Sequence, residues 1–352
     1  MIGLKTYGCA NLIESLKGKK PFFICTTATT ATCKIPKISG AGASTDLMVY
    51  TPAGDAEIMV FGELLCCDVP PQTISDGFSA PTPAIITKGV IELTNIPFLI
   101  ANAGLEIKPN VPYISINNEP GGDVRTGNAV NNPEKIFKNA KVIAKEISKS
   151  CDYLVIGESI PAGTTTALGV LTALGYDAIF KMSGSRPENP HELKREVVYE
   201  GISKSNIKIG NFSSFDAVRT VGDPMIPAVA GMVVGSKMPV ILAGGTQMVA
   251  VCAFIKKLGI DFDFSRICLG TTTYVVRDKT ADLIDLISQV DEIAVNVVDP
   301  CFEKSENEGL RNYLKGFVKE GAGAGGAILT ALLLGYSIED IRKKIEEVLE
   351  RI

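Results

Sequence analysis

Four short runs of this chain are almost continuously apolar: Pro21-Phe-Phe-Ile-Cys25, Tyr153 to Gly157, Pro239-Val-Ile-Leu-Ala243 and Ile293 to Val298. None alternates apolar with polar residues, as a strand with one face in water would, so each reads as a strand buried on both faces. Helical patterns run between and after them, at Pro133 to Ser148, Thr165 to Leu174, Thr246 to Leu258 and Thr280 to Ser288. This alternation predicts an α/β chain with a mainly parallel sheet between two helix layers, a three-layer α/β/α arrangement of Rossmann-like topology. Ligands of such sheets sit at the carboxyl ends of the strands. Here those ends read "GESIPAGTTT", "AGGTQM" and "LGTTT", rich in Gly, Ser and Thr.

With 352 residues, 46% of them apolar, the chain can build a large core. Residues 20–300 are expected to form the α/β core, with residues 1–19 and 301–352 as a small, mainly helical part packed on it. In the last segment, Ser337 and Asp340 have capping-box spacing, and Ile338, Ile341, Ile345, Val348 and Ile352 make one apolar stripe. The polar stretch Met182 to Gly201, with two prolines, is expected to begin as a surface loop.

A net charge of −4 without a basic run argues against nucleic acid as a partner. The opening MIGLKTYGCANLIESLKGKK lacks the layout of a signal peptide, and Gly244-Gly-Thr-Gln247 breaks the uncharged run Met238 to Ile255. No membrane association and a cytoplasmic location are therefore expected. The nine cysteines contain no C-x-x-C, and His191 is the one histidine, so neither zinc nor a disulfide framework is expected. The cysteines read as small buried hydrophobes, with the neighbours Cys66 and Cys67 open to redox chemistry.

Two segments carry candidate chemistry. In "IGESIPAGTTTALGVLTALG" a strand meets Glu158, a Gly/Pro bend, then an apolar helix. A helix start offers free N–H groups to an anion; Gly163 would allow close approach, and Thr164, Thr165 and Thr166 would add hydroxyls. Five residues separate Gly157 from Gly163 and no lysine follows, so this is not a nucleoside-triphosphate loop. A plain strand–helix turn accounts for the stretch equally. In "VKEGAGAGGAILTALLL", Glu320 opens a Gly/Ala bend where apolar neighbours would raise its pKa toward that of a general base. It could equally be a helix-start glutamate favoured by the macrodipole. Between these segments, small residues at Ala228, Ala230, Gly231 and Gly235 suit close helix packing.

In this order the segments resemble the nicotinate-nucleotide–dimethylbenzimidazole phosphoribosyltransferase family, over roughly residues 90–335. "ESIPAGTTTA" is similar to the family's Glu, Gly-rich, Thr-Thr loop, and "KEGAGA" to its Glu-Gly-x-Gly segment. "NPHELKREVV" resembles the segment whose lysine lies near the phosphate, and "VGDPMIPAVAGMVVGSKMPVILAGG" the Gly/Ala-rich helix and following strand. The family usually has glycines where this chain has Ile160 and Ala162, an aspartate at Ala243, and a threonine at Ala322. The resemblance implies Glu320 as catalytic base and Glu158 as a second catalytic carboxylate. It implies phosphate binding by Gly163, Thr164, Thr165, Thr166 and Lys194, and a substrate pocket that includes Gly321, Gly323, Gly244 and Gly245.

The implied activity is that of a glycosyltransferase: phosphoribosyl transfer from nicotinate mononucleotide to a benzimidazole-type base, for the lower ligand of cobamides in cobalamin biosynthesis. A homodimer acting on small molecules, with no cofactor and no metal, is implied as well. The chemistry suits the residues: nicotinate leaves as a neutral ring without a proton donor, and one carboxylate suffices as base. Transfer to another azole or purine, or nucleotide binding without catalysis, are the alternatives.

Overall fold

The computed structural model describes residues 3–352. Its strands are β1 (Leu4–Tyr7), β2 (Pro21–Ala28), β3 (Gln72–Ser75), β4 (Phe78–Pro81), β5 (Phe98–Gly104), β6 (Ile114–Ser115), β7 (Tyr153–Ser159), β8 (Val240–Ala243), β9 (Ile267–Thr272) and β10 (Ala294–Val298). β3 and β4 pair as a separate antiparallel hairpin. The other eight form one sheet in the order β1-β10-β9-β8-β7-β2-β5-β6. Every pairing in it is parallel except that of β1 with β10.

Successive residues of the central strands point into different cores, which is why those runs are apolar throughout. Phe23, Cys25, Tyr153, Val155, Ile241 and Ala243 pack on one face, with the helices Thr51–Phe61 and Ala84–Thr94 of the β2–β5 crossover. Ile24, Leu154, Ile156, Val240 and Leu242 pack on the other, against the helices Pro133–Ile147, Gly163–Ala173, Met225–Gly235 and Thr246–Lys257. The sheet is thus the middle layer of an α/β/α sandwich, as expected. β5 and β7 flank β2 on opposite sides, so the winding reverses at β2, and a crevice opens at the carboxyl ends of β2 and β7.

The chain ends join this core directly. β1 closes one sheet edge, and the helix Ala324–Leu333 lies against β7, β8, β9 and β10 on the face that the later crossovers leave bare. It can do so because Gly326 has no side chain: a Cβ there would stand 2.2 Å from that of Ala243. The final helix, Ile338–Leu349, packs on Ala84–Thr94 and starts with the expected capping box between Ser337 and Asp340. Ile338, Ile341, Ile345 and Val348 are buried. The polar stretch from Met182 runs as a loop to Pro190 and then forms the helix His191–Ser203. All nine cysteines are unpaired, and the Cys66 and Cys67 sulfurs stand 4.0 Å apart.

The small residues of Met225–Gly235 serve helix packing. A Cβ on Gly231 would lie 2.3 Å from the carbonyl oxygen of Phe137, and one on Gly235 would lie 2.2 Å from that of Lys141. Gly231→Ala must therefore push the helices Met225–Gly235 and Pro133–Ile147 apart. A loss of about 1–3 kcal/mol is expected, read as a lower urea midpoint; an unchanged midpoint would show that this contact is loose.

Candidate active site

Three loops meet at the carboxyl ends of β7, β8 and β9. β7 ends on Glu158 and Ser159, and Ile160 to Ala162 lead into the helix Gly163–Ala173. Ala162 caps that helix in the left-handed region, at φ 62°. An alanine there costs about 1–2 kcal/mol relative to a right-handed conformation. From β8, Gly244 and Gly245 lead into Thr246–Lys257. The third loop, Val318 to Gly323, precedes Ala324–Leu333.

This third loop is wound tightly. Lys319 N–H donates to the Phe317 carbonyl and Glu320 N–H to that of Val318, each at 2.7 Å, closing two successive three-residue turns. Val318, Lys319 and Ala322 have φ of 60°, 58° and 49°. A β-branched valine in that region is an outlier, and such strain persists only where surroundings hold it. The holding contacts are many. Val318 N–H donates to the Ser185 carbonyl at 2.8 Å, and Thr272 Oγ1 donates to the Lys319 carbonyl at 2.5 Å. Lys319 Nζ reaches the Gly184 and Arg186 carbonyls at 2.9 and 3.0 Å and pairs with Asp278 at 3.0 Å. Ala322 N–H donates to the Glu158 carbonyl at 2.7 Å, tying the loop to β7.

The loops border an open pocket, lined by Glu158, Gly163, Thr164, Gly245, Glu320 and Gly321 among others. Glu320 is half-buried, with both of its carboxylate oxygens hydrogen-bonded. Gly321 N–H and Gly325 N–H donate to Oε1 at 3.2 and 3.1 Å; Thr272 N–H and the Thr271 hydroxyl donate to Oε2 at 3.0 and 3.3 Å. Burial pushes its pKa up, the four donors pull it back, and it comes to about 7. Glu158 is raised well above the usual carboxyl range, first by burial and then by the charge of Glu320. Gln247 faces it and opposes that rise, while its own Nε2 closes no hydrogen bond of ordinary geometry. Two carboxyls with separated tendencies thus share one cavity, an arrangement suited to acid–base work.

The expected anion-binding residues divide. Gly163 and Thr164 line the pocket at the start of a helix. Thr165 is buried with its hydroxyl unpartnered, and Thr166 turns away to bond Asp223 and the Gly163 carbonyl. Lys194 is buried behind the pocket wall, with Nζ on the Ser183 carbonyl at 3.2 Å and on Asn189 at 2.7 Å. Burial, then Lys319, lowers its pKa to about 7. It faces a side recess that shares Ser39, Thr164, Gly184 and Ser185 with the main pocket. Gly244 and Gly323 stay out of the lining; Gly323 packs on Gly157, where a Cβ would meet its Cα at 2.7 Å.

Sequence reasoning missed Asp55, Thr82, Ser159, Gln247 and Lys319, all of which line the pocket. Asp55 had a signal. It stands in the helix Thr51–Phe61 among residues that are buried from Thr51 to Met59, and an acid in such company needs partners. It finds them in Thr82 Oγ1 and Ser159 Oγ, both donating at 2.6 Å. Among the described residues, the one cluster with metal-ligand spacing is Asp299, Cys301 and Glu303, none of which lines the pocket.

No family model matches the chain. It is 53% identical to a UPF0284 protein of Methanothermobacter thermautotrophicus, over 99% of this chain and 98% of that one. A UPF0284 protein of Methanosarcina acetivorans is 44% identical, over 94% and 95% of the two chains. One of Pyrococcus furiosus is 43% identical, over 95% and 99%. Among solved structures, the chain is similar to CobT from Thermus thermophilus, with TM-score 0.57 and 14% identity over 96% of this chain and 90% of that one. A nicotinate-nucleotide-dimethylbenzimidazole phosphoribosyltransferase of the same organism gives TM-score 0.56 and 14% identity, over 95% and 84%. The chain has the fold of those two Thermus thermophilus proteins, and, on near-full-length identity to archaeal relatives, it belongs to the UPF0284 family.

Proposed function

We propose that this chain transfers the phosphoribosyl group of nicotinate mononucleotide to a ring nitrogen of a benzimidazole-type base, giving nicotinate and an α-ribazole-phosphate-like nucleotide for the lower ligand of cobamides. The observation that carries this reading is the pairing of Glu158 and Glu320 in one pocket, beside a helix start that offers Gly163 and Thr164. The shared fold of the two Thermus thermophilus proteins supports it.

The donor's 5′-phosphate sits at that helix start, where the positive end of the helix dipole and the N–H and hydroxyl of Thr164 meet its charge. Lys194 adds charge from behind; burial has lowered its pKa, and a phosphate draws it back toward the ammonium form. One ring nitrogen of the base attacks the anomeric carbon. The bond to nicotinate breaks, and its electron pair returns to the pyridinium ring. The proton on the base's other nitrogen passes to Glu320. Of that carboxylate's four donors the Thr271 hydroxyl is the longest, at 3.3 Å, and its hydrogen can rotate away to free a lone pair. Glu158 is held in its acid form by burial; the pyridinium ring of the donor favours its ionised form, which offsets the charge growing at the anomeric carbon.

Nicotinate mononucleotide is expected to raise the melting temperature, by the equivalent of about 2.7 kcal/mol at a hundredfold excess over Kd, and Mg-ATP is not; the reverse order would reject the donor. Glu320→Gln should keep that stabilisation while nicotinate release falls roughly 10²–10⁴-fold; release within threefold of the native chain would move the base elsewhere. A base must be deprotonated to act. With Glu320 at about 7, kcat/KM for the acceptor should rise with pH, reach half its plateau near 7 and fall away on the acid side. A profile flat from pH 5.5 to 8.5 would contradict the assignment.

A further inference from the structure

Asp55 has no part in the transfer just described, yet it is buried on the pocket wall next to Ser159 and Thr82. Four hydroxyls of the pocket lining, two of them on Asp55 itself, have one feature in common. Thr82 Oγ1 and Ser159 Oγ donate their protons to the two oxygens of Asp55, each at 2.6 Å. Thr51 Oγ1 donates to the Ala41 carbonyl at 2.7 Å, and Thr73 Oγ1 to the Gly40 carbonyl at 2.6 Å. A hydroxyl has one proton, so these four, all lining the pocket, can offer an occupant only lone pairs. Each Asp55 oxygen accepts one of these bonds and has room for another. Ser39 and Gln72 line the pocket too, but neither bonds Asp55. The single cation of the lining, Lys319, is committed to Asp278 and two backbone carbonyls.

This wall is a bank of hydrogen-bond acceptors. A flat ring that enters strips water from it, and a methyl-bearing edge would leave Asp55 dehydrated with nothing in exchange. An edge with N–H or O–H groups replaces the lost water bonds, and an anionic edge is repelled.

We propose, on the basis of the transfer reading above, that Asp55 determines acceptor specificity: the base taken carries an amino or hydroxyl group on the edge that reaches Asp55, in preference to a methylated or unsubstituted edge. The ring nitrogens remain the business of Glu320. Asp55 acts on which base is held.

The test measures nicotinate release at saturating nicotinate mononucleotide with benzimidazole, 5,6-dimethylbenzimidazole, 5-hydroxybenzimidazole and 5-aminobenzimidazole. For the native chain, kcat/KM with the hydroxy or amino base should exceed that with the dimethyl base by roughly 10- to 150-fold, the worth of a hydrogen bond to a charged group. In Asp55→Asn that ratio should shrink at least fivefold. Thermal stabilisation by nicotinate mononucleotide checks that the variant has folded; if it has not, the native ratio alone decides. Equal or faster use of the dimethyl base overturns the role of Asp55 and leaves the transfer standing. No nicotinate from any base overturns the transfer, and this inference with it.

Discussion

The pocket depends on a place where two backbones touch. Gly157 of β7 lies against Gly323 so closely that a Cβ on Gly157 would meet its partner's Cα at 2.7 Å. One residue along on each segment, Ala322 N–H donates to the Glu158 carbonyl at 2.7 Å. This contact brings a carboxyl from the middle of the chain beside one from near its end. Neither would stay there unaided: Glu158 is buried and Glu320 half-buried, loss of water raises the proton affinity of both, and the charge of Glu320 raises that of Glu158 further. The sheet and the helix Ala324–Leu333 supply the holding force, because packing that helix on β7, β8 and β9 fixes where its preceding loop must run.

That loop accepts strain in return for position. Val318, Lys319 and Ala322 each hold a left-handed backbone, at an expense of about 1–3 kcal/mol apiece. The winding points the Glu320 carboxylate back at its own helix start, so that Gly321, Gly325 and Thr272 N–H groups all reach it. The result is a carboxylate dry enough to want a proton and well enough bonded to release one near neutral pH. The same economy appears at Lys319, whose ammonium is spent on Asp278 and two carbonyls and so staples the loop to the segment around Ser185.

Much of this could be read from the sequence, and the reasons it stopped where it did are physical. Continuous apolar runs give away a doubly covered sheet because side chains of a strand alternate between two dry faces; β2, β7 and β8 do so residue by residue. The Gly/Ala bend around Glu320 is legible because only small residues permit such close winding. The three threonines of the helix start do not face the same way. Neighbours on a helix are turned about 100° apart, so three in a row cannot all face one anion; Thr164 lines the pocket and Thr166 bonds Asp223 instead. Lys194 reads as a phosphate ligand from its segment, but whether it stands in a pocket wall or behind it depends on the fold of residues 183–190. Asp55 escaped because its partners, Thr82 and Ser159, come from segments 27 and 104 residues away, and no local pattern records such pairing.

The claim at the centre is a single direct displacement within one pocket, with Glu320 removing the proton as the new bond forms. Nicotinate mononucleotide carries its ring on the β face of the ribose, and a single displacement inverts that centre. Proton NMR of the nucleotide made from this donor and a benzimidazole-type base should reveal the α-anomer, with one nicotinate released per nucleotide. A β-anomer would mean two displacements or a different chemistry, and ribose 5-phosphate in place of a nucleotide would mean that water, not a base, is the acceptor; either result would contradict the account.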